Sequence, residues 1–335
     1  MCPRNISKIE LKKILIIGLS CLGDNLLITP AIKKIKDTYK NAEIDIVIGP
    51  RAIDFAKENP WFSSYFVYNK KKGFFKLIKE LTNKRYDLVV DFRNSFIPFF
   101  LKSKYKLTFF IKEFFCEKFY THESKRIMKF LEPFFGKGEI RLHFPVDNDY
   151  RDKIKEIFKN LGINNSDLVV VLNPGAKFDG KRWDKKKFGE LGKELIKIYG
   201  VKIVITGSED EKELTKEIKE IINKDNVYDF GGKTNLKELA AIFERSDLVV
   251  TNDTGSMHLA CAVGAPVVAI FGPSNPYRYG PIGNKNFVVH SDIECFPCRK
   301  ENKCKIGFKC IKDIKVEDVL KYCCIILDEK TSRII

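Results

Sequence analysis

The fold is decided by one stretch, Asp247-Leu-Val-Val-Thr-Asn-Asp-Thr-Gly-Ser-Met-His-Leu-Ala-Cys-Ala-Val-Gly-Ala-Pro-Val-Val-Ala-Ile-Phe-Gly-Pro273. Leu248–Thr251 is a short apolar run with β-branched residues, which predicts a buried parallel strand. Turn residues follow, and Met257–Val263 then predicts a helix that a glycine and a proline end. Val267–Phe271 repeats the strand pattern. The stretch therefore predicts a βαβ unit.

The turn of this unit, Asp253-Thr254-Gly255, falls at the carboxyl end of a strand and the amino end of a helix. Open α/β sheets bind ligands at this position. The free N–H groups and the positive end of a helix also favour a phosphate group. An ordinary strand-turn-helix connection that Asp253 caps explains the same residues, so both interpretations stay open.

Short apolar runs alternate with helical patterns along the whole chain, which predicts parallel βαβ units. The pattern restarts after a loop near residues 144–149. We therefore predict an α/β protein of two doubly wound, Rossmann-like domains, residues 1–150 and 151–335. The predicted strands are residues 12–18, 44–48, 65–68, 88–91, 168–172, 201–206, 227–229, 248–251 and 267–271.

The 335 residues carry 60 basic and 44 acidic side chains, a net charge of +16. Such a charge indicates an anionic partner, either a nucleotide, a nucleic acid or an acidic lipid surface, or else a generally lysine-rich proteome. No recognition helix, zinc finger or aromatic strand pattern supports nucleic-acid binding. No secretory signal and no apolar run of the roughly 18 residues that span a membrane is visible, so a cytoplasmic protein is expected.

Phe92–Phe135 differs from the rest because it holds 12 of the 27 phenylalanines, with nine basic and four acidic residues. Aromatic residues between lysines, as in Phe109–Phe115, are typical of a helix that lies on an anionic membrane. An ordinary amphipathic helix, whose lysines extend their apolar stems along it, has the same pattern.

The first predicted strand leads into a glycine-bounded loop, Gly18-Leu-Ser-Cys-Leu-Gly23-Asp24-Asn25. The loop has neither the Gly-Lys-Ser/Thr of a P-loop nor the glycine spacing of a dinucleotide site, which argues against an NAD-dependent enzyme. Asp24 fits a general base that accepts a proton from a hydroxyl group. It equally fits the cap of a helix beginning at Asn25, and local chemistry alone favours the cap.

Two loops of the second domain carry candidate ligand residues. After its first strand, Gly175 and Ala176 allow close backbone approach, and Lys181 and Arg182 are suited to a diphosphate without a metal ion. A solvated basic loop is the alternative. After the next strand, Glu211 fits either a ribose-binding carboxylate or the partner of a Ser cap, and the two roles are compatible.

Four cysteines fall within 16 residues: Cys295, Cys298, Cys304 and Cys310. The spacing fits tetrahedral thiolate ligation of a structural zinc ion or, alternatively, an iron–sulfur cluster. Reduced thiols are the second interpretation, and disulfides fit a reducing cytoplasm poorly.

Taken in order, these motifs resemble glycosyltransferase family 9, the ADP-heptose:lipopolysaccharide heptosyltransferases. Each motif is weak alone, but their order and spacing along nearly the whole chain are specific. The matching segments are residues 14–30, 174–176, 181–183, 206–211, 252–258, 264–266 and 271–273.

The resemblance implies a GT-B architecture, in which two Rossmann-like domains face a central cleft. The acceptor binds mainly to the first domain and the nucleotide sugar mainly to the second. A final helix within Ile314–Leu327 is expected to cross back to the first domain. The implied reaction is a metal-independent, inverting transfer of heptose from ADP-heptose to an inner-core lipopolysaccharide acceptor, with another nucleotide sugar and glycan as the alternative.

The resemblance also assigns roles to single residues and implies no cofactor for catalysis. It implies a monomer on the cytoplasmic face of the inner membrane, in peripheral contact with a lipid-linked anionic glycan. Asp24 would be the catalytic base, within an acceptor loop that includes Gly23 and Asn25. The donor would be bound by Gly175, Ala176, Lys181, Glu211, Asp253, Thr254, Gly255 and His258.

Overall fold

The computed structural model describes residues 3–57, 59–69, 73–109, 120–296, 298 and 304–332. The chain divides into unit 1, Met1–Pro145, and unit 2, Val146–Ile335. The predicted boundary at residue 150 lies inside the first helix of unit 2, Asn148–Asn160. The polar loop before that helix is where the strand pattern of the sequence restarts.

Unit 1 is built on a parallel sheet of five strands in the order β3-β2-β1-β4-β5. Central β1 is a continuous apolar run from Ile14 to Ile17 because its side chains are buried on both faces of the sheet. The strands are β1 Lys13–Ile17, β2 Glu43–Ile48, β3 Ser64–Val67, β4 Leu88–Asp91 and β5 Tyr105–Thr108, and the helices are α1 Leu22–Leu27, α2 Thr29–Thr38, α3 Ile53–Ala56, α4 Phe74–Thr82, α5 Ile97–Phe100 and α6 Glu123–Phe135.

Unit 2 contains a parallel sheet of six strands in the order β11-β10-β9-β6-β7-β8. Its strands are β6 Val169–Asn173, β7 Lys202–Gly207, β8 Val227–Gly231, β9 Leu248–Asn252, β10 Val267–Ile270 and β11 Asn286–Val289. Its helices are α7 Asn148–Asn160, α8 Lys185–Tyr199, α9 Lys212–Ile222, α10 Leu236–Arg245, α11 Gly255–Ala262, α12 Pro276–Tyr279, α13 Lys309–Lys312 and α14 Val316–Thr331.

In each sheet the strand order reverses beside the first strand of the unit. β1 pairs with β2 on one side and β4 on the other, and β6 pairs likewise with β7 and β9. The connections that leave these strands diverge to opposite sides, which opens a crevice at the carboxyl ends. The loops after β1 and β4, and after β6 and β9, therefore border the two candidate sites.

The structure adds two strands that the sequence pattern does not predict, β5 and β11. Both lie at an edge of their sheet. An edge strand has one neighbour and is only partly buried, so it needs no continuous apolar run. In β5 only Leu107 is buried.

The segment Phe92–Phe135 is not one interfacial helix. It contains α5, β5 and α6, and most of its Phe109–Phe115 motif lies outside the described residues. Helix α6 buries Ile127, Met128 and Leu131 in unit 1. Helix α6 is therefore amphipathic in the ordinary sense, and the membrane interpretation of the Phe109–Phe115 motif stays a prediction.

The final helix, α14, packs within unit 2. Its buried residues Val319, Cys323, Ile326 and Leu327 belong to the same apolar core as strands β6 and β10. The crossing back to the first domain that the resemblance implies stays a prediction. No described helix is long and apolar enough to span a membrane.

We predict that Gly189→Ala destabilises unit 2. A β-carbon on Gly189 in α8 would lie 2.3 Å from Cγ2 of Ile221 in α9. Although alanine favours helices, the overpacking should lower the free energy of unfolding by roughly 1–2 kcal/mol in urea titrations. The control is Glu190→Ala at the exposed neighbouring position, which should change the free energy of unfolding by less than about 0.5 kcal/mol. A Gly189→Ala protein as stable as the wild type would contradict this packing.

Candidate active site

The loop after β1 is fixed by a fully buried side chain, Asn25. Its Oδ1 accepts the N–H of Leu19 at 2.9 Å, and its Nδ2 donates to the carbonyl oxygens of Leu19 at 3.0 Å and Cys21 at 2.8 Å. A β-carbon on Gly18 would approach Oδ1 of Asn25 to 2.6 Å, so only glycine fits there. Asn25 therefore shapes this loop from inside.

Asp24 lies in the first turn of α1, and its side chain is partly exposed. The helix begins at Leu22 with Cys21 as its N-cap residue. The alternative that Asp24 caps a helix beginning at Asn25 is therefore wrong. The positive amino end of the helix stabilises the ionised carboxylate. Gly23 precedes Asp24 in the same turn, so both predicted residues lie at the reversal point of the sheet.

Arg93, two residues after β4, joins this loop and is a site residue that the sequence interpretation missed. Its Nη2 donates to Oγ of Ser20 at 2.5 Å, and its guanidinium lies 5.2 Å from the ring centre of Tyr68. Burial lowers the pKa of Arg93, and Tyr68, Asp91 and Cys21 oppose that shift. Its buried Nη1 has no hydrogen-bond partner among the described residues. The sequence offered one indication of this role, because Arg93 follows by two residues the strand β4, which pairs with β1.

Asp91, the last residue of β4, holds the turn that positions Arg93. Its carboxylate accepts the N–H groups of Arg93 at 2.8 Å and Ser95 at 2.7 Å, and the hydroxyl of Ser95 at 3.0 Å. Burial raises the pKa of Asp91, while these hydrogen bonds oppose the shift. The carboxylate oxygens of Asp91 thus accept hydrogen bonds that hold the turn.

In unit 2 the equivalent role belongs to Asn252, the buried last residue of β9. Its Nδ2 donates to the carbonyl oxygen of Pro174 at 2.7 Å, and its Oδ1 accepts the N–H of Trp183 at 3.1 Å. These bonds tie the loop after β6 to the end of β9. The loop therefore presents Gly175 and Ala176 at the reversal point of the second sheet.

The structure brings together two predicted donor residues. Nζ of Lys181 lies 2.7 Å from Oδ2 of Asp253, and the side chains are 26% and 8% exposed. Arg182 instead stabilises the loop after β6, because its Nη2 donates to the carbonyl oxygen of Ala176 at 2.7 Å. Of the two predicted cations, Lys181 lies beside the amino end of α11.

Helix α11 begins directly after Asp253, with Thr254 as its N-cap residue and Gly255 as its first helical residue. The hydroxyl of Thr254 is buried and has no hydrogen-bond partner among the described residues. His258 lies one turn further along the helix and is buried. The predicted motif from Asp253 to His258 thus forms one helix start.

Glu211 lies against the loop after β6. Its Oε2 accepts the N–H of Ser208 at 2.8 Å, and the two residues form a capping box, as the structural alternative predicted. A β-carbon on Gly175 would lie 2.1 Å from Oε1 of Glu211. Glycine at 175 is therefore required for this carboxylate to reach the crevice edge. Ribose binding by Glu211 stays a prediction.

The predicted metal site is not formed by the described residues. They contain no group of three or more His, Cys, Asp or Glu side chains placed to hold a metal ion. Cys295 is exposed, whereas Cys310 is buried. Burial raises the pKa of the Cys310 thiol to about 11, and Cys304 adds to this effect. None of the four cysteines forms a disulfide among the described residues.

The sequence matches the model of glycosyltransferase family 9 (heptosyltransferase) over residues 74–307. It is 31% identical to lipooligosaccharide heptosyltransferase 2 of Campylobacter jejuni, over 90% of this chain and 93% of that protein. The fold is similar to a family 9 glycosyl transferase of Veillonella parvula, with a TM-score of 0.80 and 25% identity over 95% of this chain and 98% of that chain.

A second structure shares the fold at lower identity. It is ADP-heptose lps heptosyltransferase II of Escherichia coli, with a TM-score of 0.73 and 22% identity over 95% of this chain and 99% of that chain. These similarities confirm the expected α/β, GT-B class of fold with two parallel sheets. The chain belongs to glycosyltransferase family 9 and is a glycosyltransferase.

Proposed function

We propose that this glycosyltransferase moves heptose from ADP-heptose to a lipid-linked, anionic inner-core saccharide of lipopolysaccharide or lipooligosaccharide. The transfer inverts the anomeric carbon and needs no metal ion. The observation that carries the proposal is the cluster at the reversal point of the second sheet, where Lys181, Asp253 and the amino end of α11 meet. The heptosyltransferase names of its relatives support the sugar and the acceptor class.

In this proposal the cluster binds the diphosphate of the donor. The N–H groups at the start of α11 supply fixed donors and the positive end of the helix dipole. Lys181 adds a full charge, and the hydroxyl of Thr254 is available as a further donor. Glu211 accepts hydrogen bonds from the ribose hydroxyls across Gly175, and Asp253 and His258 border the sugar-phosphate end.

The leaving group gains negative charge as the bond between the anomeric carbon and ADP breaks. Lys181 and the helix amino end stabilise that charge because they are already in place, so little reorganisation is needed. These groups do the work that a divalent cation does in metal-dependent transferases. We therefore expect full activity in the presence of EDTA.

Asp24 is the proposed base in unit 1. Its carboxylate takes the proton of the acceptor hydroxyl, whose oxygen attacks the anomeric carbon from the face opposite ADP, and inversion results. Arg93 lies next to the same loop and is the proposed contact for an anionic group of the acceptor, because its charge has no ion-pair partner among the described residues. A family member that uses another nucleotide sugar is the alternative.

The first test is calorimetric binding of ADP, UDP and GDP in EDTA. We expect ADP to bind at least roughly tenfold more tightly than UDP or GDP, a difference of about 1.4 kcal/mol. Preference for UDP or GDP would contradict the ADP-heptose donor and favour the alternative. Absence of binding by all three would contradict the proposed donor site.

The second test is Asp24→Asn, which keeps the size of the side chain. Loss of a placed general base should lower kcat by roughly 10²–10⁴-fold. ADP affinity should stay unchanged, because the proposed donor residues lie in unit 2. The control is Asp37→Asn, at an exposed ion pair of α2, which should retain full activity. Equal loss of ADP binding and activity in Asp24→Asn would indicate a structural role.

The third test is Lys181→Ala, measured by ADP titration. Removal of one charge-assisted contact should weaken ADP binding by roughly 10- to 100-fold, the equivalent of about 1.5–3 kcal/mol. The matched control is Lys177→Ala, an exposed lysine of the same loop, which should leave the affinity within about twofold. Unchanged affinity in Lys181→Ala would remove Lys181 from the donor site.

A further inference from the structure

Unit 1 carries an exposed aromatic cluster, here called the phenylalanine patch, formed by α4, α5 and the N-cap residue of α5, Phe96. Phe75, Phe96 and Phe99 are the most exposed large apolar side chains of the described residues, at 81%, 76% and 72%. The rings of Phe74 and Phe100 are 5.4 Å apart, those of Phe74 and Phe75 are 5.6 Å apart, and those of Phe96 and Phe99 are 6.4 Å apart. Contiguous exposed apolar area of this kind marks an interaction surface.

The same part of unit 1, residues 73–106, carries five exposed lysines: Lys76, Lys79, Lys102, Lys104 and Lys106. Among the described residues, only Lys104 of these is ion-paired, with Asp87 at 3.0 Å. Residues 73–106 hold eight basic and three acidic side chains in all. A groove of about 1080 Å³ beside Phe99 is lined by Lys102, Lys104 and Lys106. The surface thus combines apolar rings with uncompensated positive charge.

The phenylalanine patch is continuous with the Asp24 loop. Phe74 packs its ring 6.1 Å from that of Tyr68, and Tyr68 lies under the guanidinium of Arg93 at 5.2 Å. Arg93 in turn donates to Ser20 of the loop. Three side-chain contacts therefore lead from Phe74, which packs on the exposed ring of Phe75, to the loop of the proposed acceptor site.

We propose that the phenylalanine patch docks unit 1 on an anionic lipid bilayer. The rings enter the interface between headgroups and acyl chains, and the lysines contact the lipid phosphates. This inference deepens the proposed function, because docking here would place the Asp24 loop within reach of a saccharide whose lipid anchor stays in the membrane.

The lysines favour a bilayer over a second copy of the chain. Interface cores between proteins are depleted in lysine. A symmetric contact through this face would also bring each lysine set against its own copy, which like-charge repulsion opposes. An anionic bilayer satisfies the rings and the charges together.

The test is flotation of the full chain with vesicles of phosphatidylcholine, with and without about one-third phosphatidylglycerol. The wild type should bind the anionic vesicles and lose binding as salt is raised. The triple variant Phe75→Ser, Phe96→Ser, Phe99→Ser should bind at least roughly tenfold more weakly. The matched control is Ile198→Ser, Ile325→Ser, which removes exposed apolar side chains of unit 2 and should bind like the wild type.

Equal binding by the triple variant and the wild type would overturn the proposal, and so would a wild type that does not bind vesicles but forms a dimer that the triple variant lacks. Turnover of a delipidated, water-soluble acceptor separates this inference from the proposed function. The triple variant should turn it over like the wild type. Vesicle binding that depends on the patch, in a protein without heptose transfer, would refute the function and leave the docking surface intact.

Discussion

The order of strands in the two parallel sheets is the constraint on which both candidate sites depend. Two neighbouring parallel strands are joined by a crossover connection, so the loops that follow the strands all leave from the edge formed by the carboxyl ends of the strands. β1 and β6 each pair with a strand on both sides, and the chain connections to these two strands run in opposite directions. A crevice therefore opens at the carboxyl ends of β1 and β6. The chemistry-bearing side chains of residues 24, 93, 181 and 253 all follow strands that border these two crevices.

Each crevice is kept in shape by one buried asparagine. Asn25 saturates the backbone of the loop after β1, and Asn252 joins the loop after β6 to the end of β9. An amide suits this task because it offers donors and acceptors at once without charge. A buried backbone group left unpaired costs about 1–3 kcal/mol, so these contacts fix loops that lack regular structure. The candidate active-site residues then project from a rigid frame.

Much of this arrangement follows from the sequence, because buried parallel strands are continuous apolar runs and polar residues directly after them must lie at one edge. The strands before Asp24, Lys181 and Asp253 were predictable for that reason. The pattern did not reveal β5 and β11, since edge strands need little apolar character. The direct pairing of Lys181 with Asp253 and the approach of Arg93 to Ser20 were not predictable either, because they join segments 72 and 73 residues apart.

The pairing of Lys181 with Asp253 has a consequence for any diphosphate that binds there. A half-buried ammonium group is costly to desolvate alone, and the carboxylate of Asp253 at 2.7 Å from Lys181 offsets that cost. A diphosphate must then compete with Asp253 for Lys181 and also approach a negative charge. The net gain from binding is thereby smaller than that of an unpaired lysine. In the proposed donor site, negative charge that develops on the leaving diphosphate would strengthen both its attraction to Lys181 and its repulsion from Asp253, so the pair favours the transition state only where Lys181 is the nearer of the two charges.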